Sequence, residues 1–263
     1  LVGSEMCIRD RFISKLICFL VAIVCGMLFA LIPAILKAKC NVNEMVVTLM
    51  LNYAVSKTLE FLTTGVFKDK SAGYVATPTI KENVMFKRFG ASRMTMFFVI
   101  AMIILVIMYF VMKKSKLGYE ITAIGKNPEF AEATGMNVGK KIIIMMLISG
   151  ALSGVAGAGW MLSDQFKYTL TFSAMAMFTS DMTAGRGFIA IAAIYCGQGK
   201  PVQSSLYAIL FGVARSLAVN LSVYAGPAAG MFDTIPYIIM VAVLAVVSFM
   251  KFKDVKVRGY KFD

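Results

Sequence analysis

The chain has 263 residues, 59% of them hydrophobic, with 27 Lys and Arg against 14 Asp and Glu, a net charge of +13, and no His. With a mean hydropathy of +0.77, this composition excludes a string of soluble domains and predicts one all-α, polytopic transmembrane helix bundle. Without His the usual general base and the commonest metal ligand are missing. Cys7, Cys18, Cys25, Cys40 and Cys196 form no CxxC pair, so they are expected as buried thiols, with no metal site. The basic residues fall mostly between apolar runs, a pattern of membrane insertion and anionic lipid rather than of nucleic-acid binding.

Residues 1–11, LVGSEMCIRDR, are polar and lack a starting Met. They are expected to be a non-native extension and are set aside, leaving 12–263 as a single membrane domain. The first span is Phe12–Leu36, closing at Pro33 and the basic pair Lys37 and Lys39. Asn43–Gly65 is less apolar, and Glu44, Thr48, Asn52, Ser56 and Glu60 recur at every fourth position. A helix turns 100° per residue, so this row drifts slowly and stays one polar stripe. Such a stripe in a membrane faces a water-filled path or packs through hydrogen bonds, with Lys57 and Glu60 then a simple ion pair. Val66–Ser92 is a long polar loop with Gly73, Pro78 and the basic pair Lys87 and Arg88.

Met94–Met112 carries no charge and predicts the next span; Ile142–Leu162 predicts another. Between them Lys113–Lys141 is polar and basic at both ends, a hook expected in the cytoplasm. Within it Asn127 reads as a helix cap, Pro128 as a first-turn residue, and Glu129 as an acid at the positive end of the dipole. Gly135 reads as a left-handed stop. A helix of about two turns is expected there, with Phe130, Ala131 and Ala133 on its outer face. Beyond the hook, Gly150, Gly154 and Ala158 are spaced by four, which predicts close helix packing. Trp160 and Tyr168 suit an outer aromatic belt.

Thr169–Gly197 is too long for one simple span and is interrupted by SDMTAGRG. It reads as a discontinuous crossing, with an outer half-helix, a break holding Asp181 and Arg186, and an inward helix from Phe188. Val202–Val223 carries Arg215 at membrane depth, where a charge needs a partner, with Asp181 and Glu60 as candidates. The last span is Thr234–Met250, and the basic tail after it places the C-terminus in the cytoplasm. Glu44, Thr48, Asn52, Ser56, Asp181, Arg186 and Arg215 are the candidate substrate-pathway residues. GMNVGKK and GQGKP lack the spacing of a Walker A loop, so no ATP site of the chain's own is expected.

Four blocks carry a resemblance. AIGKNPEFAEATGMNVGKK resembles the coupling loop of ABC-importer permeases of the simple-sugar and nucleoside group, through Gly125, Asn127, Pro128, Ala131, Gly135 and Asn137. NEMVVTLMLNYA is similar to that family's NE-x-x-x-TLMLNY signature. GRGFIAIAAIYCGQGKP resembles its GxGFxxIAxxxxGxxxP block, with Ile189 in place of a common acid and Gln203 in place of a common Gly. YVATPTI resembles its extracytoplasmic docking loop.

The resemblance implies a permease subunit with about seven spans here of about ten in the family, one of them discontinuous. It implies a prokaryotic plasma membrane, a multi-pass chain, and nucleosides or simple sugars as cargo. The implied partners are a second permease subunit, two ATPase subunits that bind ATP and Mg, and an extracytoplasmic substrate-binding protein. Gly125, Asn127, Pro128, Glu129, Phe130, Ala131, Ala133 and Gly135 would then couple the ATPase to the membrane helices. The alternative is a secondary transporter, for which Asp181 and Glu60 are the only mid-membrane acids. A membrane enzyme would need a catalytic cluster, which the sequence does not supply.

Overall fold

A computed structural model of the chain describes residues 2–65, 95–162, 183, 185–224 and 234–259. Among these the helices are α1 (Val2–Cys40), α2 (Glu44–Thr64), α3 (Met96–Lys114), α4 (Lys116–Lys126), α5 (Pro128–Ala133), α6 (Val138–Leu162), α7 (Arg186–Cys196), α8 (Pro201–Tyr224) and α9 (Ile235–Gly259). Ile13–Cys40, Glu44–Thr64, Met96–Lys114 and Val138–Leu162 are long and apolar enough to cross a membrane, and Arg186–Cys196 and Tyr237–Val247 are shorter apolar helices. The chain is an all-α membrane helix bundle. It divides into two compact units, one of residues 1–104 and 110–182, the other of 105–109 and 183–263.

The first unit is organised by an antiparallel seam between α1 and α6. A Cβ on Gly150 would lie 2.5 Å from the Ala30 Cβ and 2.5 Å from the Gly26 carbonyl oxygen. A Cβ on Gly154 would collide with the Ala22 carbonyl, and one on Gly26 with the Gly150 carbonyl. The two backbones therefore touch directly, which only small residues at the crossing permit. Lipid tails are as apolar as any side chain, so such helices associate by contact rather than by escape from water. At the far end a Cβ on Gly139 would sit 3.9 Å from the Ala38 carbonyl oxygen, which places the end of α1 beside the start of α6. The Phe97 ring of α3 fills the space over Gly159.

Two local expectations are corrected. α1 does not close at Pro33 but continues to Cys40, with Pro33 buried inside its C-terminal part. Proline removes one backbone bond there, a loss that membrane helices absorb through neighbouring contacts. The chain turns instead at Asn41, whose φ of 50° is left-handed. Cys18, Cys25 and Cys40 are exposed and only Cys196 is buried among the described cysteines. A helix surface that meets hydrocarbon has no need to bury its thiols.

In the second unit Ala192, Ala193 and Cys196 of α7 close on Phe211 of α8, with Ile239, Met240, Val243 and Leu244 of α9 against them. α7 starts at Arg186, two residues before the expected Phe188. The expected outer half-helix, Asp181, Tyr168 and the loop Val66–Ser92 lie outside the described residues.

Candidate functional site

The hook is two helices where the sequence predicted one. The chain turns at Ser115, whose Oγ donates to the Val111 carbonyl at 2.6 Å and accepts from the Gly118 amide at 3.2 Å. This caps α4, and Gly118 then lies so close to the end of α3 that a Cβ on it would collide with the Met112 carbonyl. Leu117, Glu120, Ile121 and Ile124 fall on one side of α4 by helical spacing, and Glu120 and Ile124 are buried. The acid on this otherwise apolar face forms an ion pair with Lys141, in the first turns of α6.

α5 follows as its residues dictate. Asn127 Oδ1 accepts from the Phe130 amide at 3.0 Å, with Pro128 and Glu129 in the first turn. The helix ends on Gly135 at φ 83°. There the Met136 amide donates to the Ala131 carbonyl at 3.1 Å and the Gly135 amide to the Glu132 carbonyl at 2.9 Å. This paired arrangement satisfies the last carbonyls and requires the left-handed residue that glycine supplies. Asn137 then caps α6 through the Lys140 amide at 3.1 Å.

One outward assignment is corrected. Phe130 is 64% exposed, and Ala133 is exposed, but Ala131 is fully buried. A single turn cannot show three residues at positions 130, 131 and 133 to one side, because 131 lies 100° from 130. The helix packs on the rest of the hook through Ala131 and leaves Phe130 free. Gly125, Asn127, Pro128, Glu129 and Gly135 are exposed around it. Tyr119 on α4, 70% exposed, is a second outward aromatic that motif reading passed over. Its signal was there: it is the large residue off the apolar face of KLGYEITAIGK.

The polar stripe of α2 is almost bare within the described chain. Asn43 caps it through the Met45 amide at 3.0 Å, and Glu44 pairs with Lys37 of α1 at 2.8 Å. Thr48 Oγ1 donates to the Glu44 carbonyl at 2.8 Å, and Glu60 is held by Lys57 at 2.8 Å. Thr48, Asn52 and Ser56 are exposed. Among the described residues, Asn52 and Ser56 have no hydrogen-bond partner.

Arg186, at the start of α7, and Arg215, on α8, both belong to the second unit. Arg186 donates to the Thr183 carbonyl at 3.3 Å, and the two guanidinium groups lie within electrostatic reach of each other. A Cβ on Gly185 would lie 3.0 Å from Tyr237 Oη, so the start of α7 also meets α9. No carboxylate pairs with Arg215 among the described residues. Of its two candidate partners, Glu60 is engaged by Lys57 and Asp181 lies outside the described residues. No group of three His, Cys, Asp or Glu side chains gathers among the described residues.

The described chain is thus a membrane helix bundle in which a folded hook, capped at Ser115, Asn127 and Asn137, joins α3 to α6. The chain belongs to the family described as branched-chain amino acid transport system / permease component, whose model matches residues 5–244. It is 31% identical over 221 residues to the guanosine ABC transporter permease protein NupP of Bacillus subtilis (strain 168), covering 83% of this chain and 61% of that one. It is 27% identical over 223 residues to the nucleoside ABC transporter permease protein NupB of Lactococcus lactis subsp. cremoris (strain MG1363), covering 80% and 59%. The putative glucose ABC transporter permease protein TsgC13 of Haloferax volcanii is 28% identical over 254 residues, covering 86% and 73%. The chain thus spans 61% and 59% of the first two relatives' length. No solved structure matches it.

Proposed function

We propose that this chain is the membrane-spanning permease subunit of an ATP-driven importer for nucleosides or simple sugars. The observation that carries the reading is α5, a helix capped at both ends that buries Ala131 inward and presents Phe130 outward. An exposed aromatic on a rigid, short helix outside the spans is an anchor for a partner's groove. The partner in this reading is an ATPase subunit, which binds ATP and Mg, with a second permease subunit and an extracytoplasmic binding protein completing the assembly. Closure of the ATPase pair would move the hook, and the helices would rock between two states of access. The candidate pathway residues are Asn52 and Ser56 with Glu44 and Thr48 on α2, and Arg186 and Arg215 with Asp181.

The hook and the C-terminus are assigned to the cytoplasm of a prokaryotic cell. Support comes from charge: Lys37 and Lys39 at the end of α1 lie at the level of Lys140 and Lys141, because Ala38 and Gly139 are neighbours. Lys113 and Lys114 end α3 where the hook begins, so basic residues flank the hook at both of its ends, the pattern expected of a cytoplasmic segment.

The test is Phe130→Ala. Because the side chain is mostly exposed, its loss leaves the fold and the protein level unchanged. Association with the ATPase should weaken about a hundredfold, the scale of truncating an aromatic anchor. Co-purification from detergent and ATP hydrolysis in vesicles measure it. Unchanged association would reduce the hook to a helix lying on lipid.

A further inference from the structure

We propose that the Glu120–Lys141 ion pair is a clasp that makes the hook move as one body with α6, so that displacement of Phe130 reaches the membrane. The inference rests on the coupling role proposed for the hook, and Glu120 and Lys141 are positioning residues within it.

The geometry of attachment carries the inference. The hook leaves α3 at Ser115, and Gly118 against the Met112 carbonyl fixes the angle of that departure. It reaches α6 through Thr134–Asn137, a short turn around left-handed Gly135. One turn is one point of attachment, about which a six-residue helix can swivel. The clasp adds a second, joining α4 to α6 across 21 positions of sequence. Two separated points remove the swivel, so a push on α5 becomes a displacement of α6 rather than a rotation of the hook.

The pair is built for holding. The Glu120 side chain is 9% exposed and that of Lys141 24%, so neither is fully hydrated. Partial burial strengthens their attraction, and separation would leave a desolvated charge without a partner. Ile124 and Ala131 fill the remaining interior of the hook. From α6 the displacement continues into α1, because Gly26, Gly150 and Gly154 bring the two backbones into contact. Backbones in contact cannot slip past one another as long side chains can. The chain of transmission is therefore Phe130, α5, the clasp, α6 and α1. Neither Glu120 nor Lys141 faces the outer side of the hook, so neither is in the docking surface.

The experiment uses the full permease assembled with its ATPase and binding protein in vesicles, with guanosine and glucose as the transported probes. Four forms are compared: wild type, Glu120→Gln, the double variant Glu120→Gln/Lys141→Met, and the charge exchange Glu120→Lys/Lys141→Glu. The double variant removes both charges, so no lone buried charge unfolds the hook. The readouts are ATPase co-purification and solute moved per ATP hydrolysed. Expected is co-purification within about twofold of wild type in the double and exchanged forms, with solute per ATP falling about threefold to thirtyfold in the double variant, the range of coupling perturbations. The exchange should restore it. A double variant that couples like wild type overturns the clasp. So does one that loses the ATPase, since the pair would then only fold the hook, and so does an exchange that docks but stays uncoupled. Failure of the wild-type chain to retain an ATPase would instead sink the coupling reading itself, a result the co-purification arm separates from the others.

Discussion

The α1–α6 seam and helix α2 are opposite solutions to life in hydrocarbon. The seam is apolar and made of the smallest residues, and its backbones touch at Gly26, Gly150 and Gly154. α2 carries Glu44, Thr48, Asn52, Ser56 and Glu60, yet its only buried residue is Thr63. The apolar helix pair is held tightly and the polar helix is held by its ends. In water, escape of apolar surface from solvent would be enough to drive such a seam together. In lipid, close fit decides packing and polarity is left over for other uses. Asn52 and Ser56 are the residues so left over.

The contrast is open to attack at four positions. The largest effect should come from Gly150→Leu. Its new Cβ alone would lie 2.5 Å from the Ala30 Cβ and 2.5 Å from the Gly26 carbonyl oxygen, and neither atom can step aside without moving backbone. Overpacking costs about 3 kcal/mol here, the upper end of the usual range, so thermal unfolding in detergent should show a clear loss. A stable Gly150→Leu would mean that the seam is loose.

Gly157→Ala, on the same helix, should do the opposite. Nothing lies within 4 Å of the place its methyl group would occupy, so only the backbone entropy changes, and a gain of about 0.5–1 kcal/mol is expected. Destabilisation by this variant would place an unseen neighbour on that face.

Glu44→Gln removes the polar link between α1 and α2. Lys37 is 28% exposed and Glu44 46% in that pair. Solvent screening leaves such a bridge about 0.5 kcal/mol, a small shift in the same unfolding assay. A loss as large as that of Gly150→Leu would show that α2 hangs on this bond.

Asn52→Leu should have the smallest effect on stability, within about 0.5 kcal/mol, because an exposed side chain without a partner loses no bond. Its predicted effect is on solute flux in vesicles, which should fall while ATPase association stays normal. Normal flux, or a failure to fold, would return the stripe to packing and erase the contrast.

Much of the hook was legible because its signals are local. Asn127, Pro128 and Gly135 each act within one turn of helix, through a cap, a fixed φ and a left-handed stop, and each behaves as its residue type requires. The inward turn of Ala131 was open to a helical wheel, which separates it from Phe130. The second helix was also partly written, in the spacing of Leu117, Ile121 and Ile124. Glu120 among them was an acid on an apolar face, a sign that a partner had to exist, though not which.

Hydropathy and bonds between residues a few positions apart are enough to set the membrane class, the order of the spans, the polar stripe and the caps of the hook. They do not say that Gly150 meets Gly26, that Lys141 meets Glu120, that Arg186 approaches Arg215, or that α1 passes through Pro33. Small residues, lysines and arginines offer the same surface to many partners, and composition cannot choose among them. The choice falls to the packing of distant segments, where backbone contact, burial and charge are satisfied together.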